Sequence, residues 1–263
     1  MRKFFPSVRV AGVRVDALDV RRLHAYIHHA IARGWRVPIF YANAHAVVLA
    51  HDDPEFARVL EAAPIVLCDG SGVRLGARLL GAELPPRITY ADWIEELVPF
   101  LRDQGHSLFL LGGRPGVAEE AGSRLALRYP GLRIVGTGHG YFRKDGIEND
   151  AVVAAVNAAR PDVLLLGFGM PLQETWCMSN LDRLDVRVVL AGGACIDYVA
   201  GTLRRGPRIL VEHHMEWLAR LIVEPRRLWK RYLVGNPRFL LLVLRERTRR
   251  WSRGHAQNEG GTR

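Results

Sequence analysis

One phrase recurs along this chain and leaves few folds open to it: a short apolar run, an abrupt glycine-rich or polar turn, then residues at helical spacing. Its fullest copy is Val163-Leu-Leu-Leu-Gly-Phe-Gly-Met-Pro-Leu-Gln-Glu-Thr-Trp176. An apolar run this short, bounded by glycines, reads as a buried parallel strand. Gly167 and Gly169 allow a sharp turn and leave no side chain between backbone and ligand. Pro171 suits the first turn of a helix, where its missing N–H costs nothing. The remaining free N–H groups there favour an anion such as a diphosphate. Gln173 and Glu174 stand in the same first turn, able to hydrogen-bond a sugar or a base. A strand-to-helix turn with no ligand accounts for the stretch equally well when it is taken alone. Leu172 stands where the dinucleotide fingerprint has its third glycine, which disfavours an oxidoreductase.

The phrase returns at Ile65-Val-Leu-Cys68 before Asp69-Gly70, and at Leu108–Leu111 before Gly112-Gly113. It returns again at Leu132–Val135 before Gly136-Thr137-Gly138, and at Val186–Ala191 before Gly192-Gly193. Val37–Tyr41 ends in Ala42-Asn43-Ala44-His45. Upstream, Val8–Val15 alternates as a half-buried strand or hairpin does, and Asp19 is placed to cap a helix running to about Arg33. Strands alternating with helices predict an α/β fold, a parallel sheet with helices on both faces. Ligands of such sheets bind at the carboxyl ends of the strands, where these turns converge. No G-x-x-x-x-G-K-[ST] occurs, so a P-loop is excluded.

At 263 residues the chain accommodates one α/β domain with an appendage. The expected organisation is an α/β domain over residues 1–200, a basic amphipathic appendage over 201–250, and a disordered tail over 251–263. Residues 1–201 hold 22 Lys/Arg against 22 Asp/Glu, whereas residues 202–263 hold 15 against 5, so the last quarter carries the entire net charge of +10. That segment meets something anionic. Its arginines stand beside Trp217, Trp229, Tyr232 and Leu233, a mixture that suits an anionic membrane interface better than nucleic acid. Packing on the core as an ordinary helical subdomain is the plainer alternative. Phe239–Leu244 is too short for a span, which needs ~20 apolar residues. Met1-Arg-Lys-Phe-Phe-Pro-Ser lacks the apolar region of a signal peptide. Cys68, Cys177 and Cys195 follow no metal-ligand spacing and fit reduced thiols in a cytoplasmic protein. The expected location is the cytoplasm, peripheral on the inner face of the cytoplasmic membrane.

Asp69 is the leading candidate for chemistry. It follows a buried run directly, where burial can tune a carboxylate toward general-base work. A turn residue capping the next helix is the competing and, from sequence alone, the stronger reading. Asn43 and His45 end the neighbouring strand and can bind sugar hydroxyls, but a lone histidine is more often structural and His45 takes no catalytic role. Arg87, in the loop Pro85-Pro86-Arg87-Ile88-Thr89, suits a phosphate. No Asp-x-Asp pair occurs and His213-His214 has no partner set, so a divalent metal is unsupported.

Taken together these stretches resemble the WecG/TagA/CpsF family of bacterial glycosyltransferases, from about Val10 to Phe239. The resemblance is carried by Asn43-Ala-His45, Asp69-Gly70, Leu84-Pro-Pro-Arg87, Gly138-His-Gly-Tyr-Phe142, Gly167–Glu174 and Gly192–Asp197. Further blocks are Arg204-Arg-Gly-Pro207, Glu216–Leu221 and Glu224–Tyr232. It implies a Rossmann-like fold with a C-terminal helical, membrane-associating appendage that closes over the site. It implies an inverting, metal-independent transfer, without a cofactor, from a UDP-sugar to a polyprenyl-diphosphate-linked sugar in surface or exopolysaccharide assembly. In that scheme Asp69 is the general base, and the Gly167–Glu174 loop cradles the donor with Gln173 in contact. Arg220 and Arg227, with Lys230 or Arg231, neutralise the departing UDP or bind the acceptor's diphosphate. Tyr41 stands where the family often has Thr, and Tyr90 where it usually has Gly. Both can reshape the sugar pocket, so the donor is either a UDP-hexose or of the UDP-N-acetylmannosamine type. A non-catalytic nucleotide-sugar-binding partner of an assembly system is the alternative, and a homo-oligomer stays open.

Overall fold

The computed structural model describes residues 5–203, 210 and 216–259. Arg204-Arg-Gly-Pro207 and His213-His214 lie outside them. The chain opens with a hairpin, β1 (Ser7–Val10) and β2 (Val13–Asp16), then α1 (Val20–Ala32), capped by Asp19 through Arg22 N at 2.8 Å. Next come β3 (Val37–Ala42), α2 (Ala44–Asp52), α3 (Pro54–Ala62), β4 (Ile65–Cys68), α4 (Ser71–Leu79) and α5 (Tyr90–Asp103). The second half holds β5 (Ser107–Gly112), α6 (Val117–Arg128), β6 (Arg133–Gly138), α7 (Gly146–Ala159), β7 (Val163–Gly167), α8 (Leu172–Asn180), β8 (Val188–Ala191) and α9 (Cys195–Ala200).

The six strands β3 to β8 form a parallel sheet in the order β4-β3-β8-β7-β5-β6. Side chains alternate between its two faces, as strand geometry requires. Ile39, Tyr41, Leu165 and Leu190 enter one core with α1, α5, α6 and α9. Phe40, Leu164, Leu166 and Val189 enter the other with α2, α3, α7 and α8. The helix after β3 therefore lies on one face and the helix after β8 on the other, which leaves a crevice between the carboxyl ends of these neighbouring strands.

The hairpin is fixed by an ion pair buried to within 2% of full burial, Arg14 Nη1 with Asp16 Oδ1 at 2.5 Å. Asp16 Oδ2 also accepts from Val66 N at 2.7 Å, tying β2 to β4. β6 departs from the sequence expectation. Gly136 and Gly138, read as a turn, continue the strand at the sheet edge. A Cβ on Gly136 would lie 2.3 Å from the Phe109 ring, so glycine here makes room for a neighbour.

The C-terminal layer comprises α10 (Glu216–Val223), α11 (Pro225–Trp229), a π-helical turn at Lys230–Val234, and the 25-residue α12 (Gly235–Glu259). It is anchored in the domain, because Phe239 and Val243 are buried in the second core. The stretch from Trp251 to Glu259 continues α12 where the sequence suggested a disordered tail. Among the described residues no helix is long and apolar enough to cross a membrane.

Candidate active site

The carboxyl ends of the strands open on two adjoining cavities. The smaller, of about 730 Å³, is lined by Asn43, Asp69, Arg87 and residues of the C-terminal layer. The larger, of about 1520 Å³, lies over the glycine turns and is lined by Gly113, Gly140, Gly167, Gly169 and Gly193. His45, Arg220 and Arg231 line both.

Asp69 extends the β3–β4 pairing by one residue, its N–H donating to Ala42 O at 2.9 Å. Gly70, at φ 88°, then turns the chain straight into α4 and is itself the N-cap, with no side-chain cap bond. Glycine is required by that backbone angle. The N-cap residue of α4 is thus Gly70, with Asp69 one position ahead of it. Asn43 does two things at once. Its Oδ1 caps α2 by accepting from Ala46 N at 3.1 Å, and its Nδ2 donates to Asp69 Oδ2 at 3.2 Å. The carboxylate is thereby held by a side chain that a helix terminus has already fixed. Burial pushes the Cys68 thiol up to about 12, with Asp69 adding to the shift, which disfavours its thiolate.

Tyr41, next to last in β3, lines the larger cavity. Its hydroxyl faces Gly193 so closely that a Cβ there would come within 2.8 Å of it. Burial holds this phenol protonated; Glu174 and Asp69 push the same way, while Arg231 and Arg220 oppose. The phenol thus lies within electrostatic reach of the carboxylate of the smaller cavity and of both shared arginines. His45, lowered to about 4 by burial and then by Arg231, is uncharged at neutral pH.

The arginines come from the C-terminal layer. Burial works against the charge of Arg220, but Tyr232, Tyr198, Tyr41 and Glu224 together hold its pKa above the ordinary value. The Nε atoms of Arg220 and Arg231 are buried without a hydrogen-bond partner. Arg227 lines the larger cavity and pairs with Glu224 at 2.6 Å; Lys230 lines it too, 5.6 Å from the Trp229 ring centroid. Arg87 lines the smaller cavity from a loop pinned to β4 by Ile88 N donating to Cys68 O at 2.9 Å.

Gln173 and Glu174 differ from expectation. Both are fully buried and line neither cavity. Gln173 Oε1 accepts from Gly193 N at 3.0 Å and its Nε2 donates to Glu174 Oε1 at 2.8 Å. Pro171, joined to Met170 by a cis bond, is the N-cap of α8, and the first turn of that helix directs the pair behind the glycine turns. Tyr90 also misses the cavities: it is 5% exposed, and its hydroxyl donates to Ile39 O at 3.3 Å. Sequence reasoning passed over Arg74 and Arg78 of α4, which line the smaller cavity. It also passed over Lys144, whose Nζ sits 3.5 Å from the Phe142 ring centroid and 4.6 Å from that of Phe168 at the larger one. Among the described residues no three His, Cys, Asp or Glu side chains gather as a metal site.

The carboxyl ends of a Rossmann-like sheet thus carry one cavity over the glycine turns, a second around a held carboxylate, and arginines between them. The chain belongs to the WecG/TagA/CpsF family of glycosyl transferases, whose model matches residues 8–253. It is 30% identical over 205 residues to the N-acetylglucosaminyldiphosphoundecaprenol N-acetyl-beta-D-mannosaminyltransferase of Bacillus subtilis (strain 168), covering 78% of this chain and 77% of that protein. The protein of the same description from Staphylococcus aureus (strain MRSA252) is 28% identical over 193 residues, 73% of each chain.

Proposed function

We propose that this glycosyltransferase moves a sugar from a UDP-sugar to a sugar linked through diphosphate to a polyprenol, with inversion and without a metal, at the inner membrane surface. The observation that carries this reading is the pair of buried, partnerless Nε atoms of Arg220 and Arg231 on the wall shared by the two cavities, with Asp69 in the smaller. A buried N–H lacking an acceptor is costly, and an anion seated between the cavities removes that cost. The diphosphate of a nucleotide-sugar on the glycine turns is such an anion.

In this arrangement Asp69 takes the proton of the acceptor hydroxyl. The hydroxyl oxygen attacks the anomeric carbon from the side opposite the phosphate. The carbon–oxygen bond to the phosphate breaks, its electron pair departs with UDP, and configuration inverts. Arg220 and Arg231, with Arg227 and Lys230 at the larger cavity, stabilise the charge gathering on UDP, as fixed cations do where charge develops in a transition state. The descriptions of the relatives, which name a diphosphoundecaprenol acceptor and an N-acetylmannosaminyl group, support the lipid-linked acceptor. The donor is of the N-acetylmannosamine type or a neutral hexose. The Tyr41 phenol faces Gly193 at the mouth of the strand crevice, so it shapes that choice.

Transfer between UDP-sugars and a short-chain prenyl-diphosphate sugar tests the reading. Asp69→Asn, which preserves the bond to Asn43, is expected to lower kcat by about 10²–10⁴-fold at an unchanged melting temperature. Product formed at the wild-type rate would refute the base assignment.

A further inference from the structure

We infer that Arg74 and Arg78, one helical turn apart on α4, bind the diphosphate of the lipid-linked acceptor, and that Leu75 and Leu240 lead its first isoprene units out of the cavity. This rests on the two-substrate reading above. The four residues all line the smaller cavity and none lines the larger. Arg74 and Arg78 are neighbours at i, i+4 and Leu75 and Arg78 at i, i+3, so the two cations and the leucine share one helix face.

The cations await a counter-charge. Neither Arg74 nor Arg78 has a carboxylate partner among the described residues. Several other arginines of this chain are paired, as in Arg14–Asp16, Arg183–Asp150 and Arg250–Glu246. Arg74 and Arg87 reach far enough inward to oppose the upward shift of the Cys68 thiol next to Asp69. Among the described residues, Asp69 is the one acidic side chain on the cavity wall, against Arg74, Arg78, Arg87, Arg220 and Arg231. Thr89 Oγ1, in the same wall, is buried with no partner and offers a further donor. An excess of guanidinium groups over carboxylates around one cavity selects a multiply charged oxyanion.

The rim shows what that oxyanion is attached to. Leu75 is 53% exposed, Leu240 41% and Trp217 36%, all at the cavity. Leu241 and Leu244 continue the exposed apolar strip along α12. A nucleotide has no use for such a path, whereas a diphosphate ester of an isoprenoid alcohol fills both halves of the cavity. In the two-substrate reading the nucleotide diphosphate takes the glycine turns of the larger cavity, which leaves the smaller one to the acceptor.

The test uses the full chain, farnesyl diphosphate and UDP as separate binding probes, and two-substrate kinetics with a prenyl-diphosphate sugar. Arg74→Gln and Arg78→Gln are each expected to weaken farnesyl diphosphate and raise the acceptor KM by about tenfold, the loss of one charge-assisted contact. UDP affinity and donor KM should stay within about twofold of wild type, and Lys at either position should restore part of the acceptor KM. Leu75→Ser should weaken farnesyl diphosphate but leave inorganic diphosphate unaffected. Wild-type turnover with an unchanged acceptor KM in the Arg74→Gln/Arg78→Gln double variant overturns this assignment while leaving the transferase reading intact. The same holds if the variants lose UDP instead. A wild-type protein that binds neither probe and makes no product overturns both.

Discussion

Gln173 accepts the Gly193 N–H and donates to Glu174, whose second oxygen is buried without a partner. These side chains serve the site without touching it, by fixing the turn that Tyr41 faces across the crevice. Burial lifts the Glu174 carboxyl from its ordinary 4.5 to about 7, with Gln173 opposing the shift. Between these two values the folded chain holds a proton that the unfolded chain has released. The folded state binds more protons there, so this group lowers stability progressively as pH rises through that window, and the whole loss is present above it. A shift of this size corresponds to up to about 3 kcal/mol. Glu174→Gln keeps an acceptor for Gln173 and carries no charge. Its stability relative to wild type, read from urea unfolding, is therefore expected to improve by up to about 3 kcal/mol between pH 4 and pH 8. A difference that stays constant over this range would show that the carboxyl titrates normally.

The α4–α12 packing shows at the level of elements why the C-terminal layer is part of the domain. A Cβ on Gly76 would lie 2.8 Å from Val10 Cγ1, 3.0 Å from Phe239 Cζ and 3.2 Å from a Val243 methyl. Glycine at this helical position lets α12 approach α4 closely enough for Phe239 to reach the smaller cavity. Gly76→Ala gains helix propensity but overpacks this contact. It is expected to destabilise the fold by about 1–3 kcal/mol and to raise the acceptor KM, both measured on the same preparation. An unaltered melting temperature would mean that α12 is held elsewhere. The sheet itself was legible in the sequence, because a buried parallel strand is an uninterrupted apolar run and its end is marked by a turn. Asn43 and Asp69 were legible for the same reason, because a position after a strand is one-dimensional information, whereas Arg87 stood out only as a cation in a Pro-Pro loop. Arg74 and Arg78 were not, since two arginines in a helix say nothing of which face meets a cavity. Gln173 and Glu174 were placed in the correct turn but on the wrong side of it, because the rotation of α8 about its axis is set by packing. In β6 the glycines carried no trace of the Phe109 ring that requires them. Phe239 and Val243, four residues apart, did signal a core face, but the run Phe239–Leu244 hid them among leucines that α12 leaves exposed.

Over the whole molecule, charge and exposed apolar surface coincide. The net charge of +10 arises in residues 202–263, and the same layer exposes Trp229, Leu233, Val234, Leu241 and Trp251. Basic residues interleaved with Trp and Leu suit the interface of an anionic membrane, and among the described residues no helix can span one. The layer that would meet lipid also walls the smaller cavity with Trp217 and Leu240, so protein and acceptor tail would enter the bilayer from the same side. Attachment of this kind has two separable contributions. The electrostatic part, about 1 kcal/mol for each basic residue near the surface, weakens as salt shortens the screening length. The apolar part, about 1.5–3 kcal/mol for a large side chain fully buried, does not. Sedimentation with phosphatidylglycerol vesicles should therefore show binding that falls steeply with added salt. Phosphatidylcholine vesicles should retain little protein at any salt. Trp229→Ser should weaken binding to anionic vesicles at every salt concentration without changing the slope, whereas Arg226→Gln and Arg245→Gln should flatten it. Equal partition onto neutral and anionic vesicles, or a salt-independent bound fraction, would separate this surface from the membrane and leave its charge to be explained by the diphosphates alone.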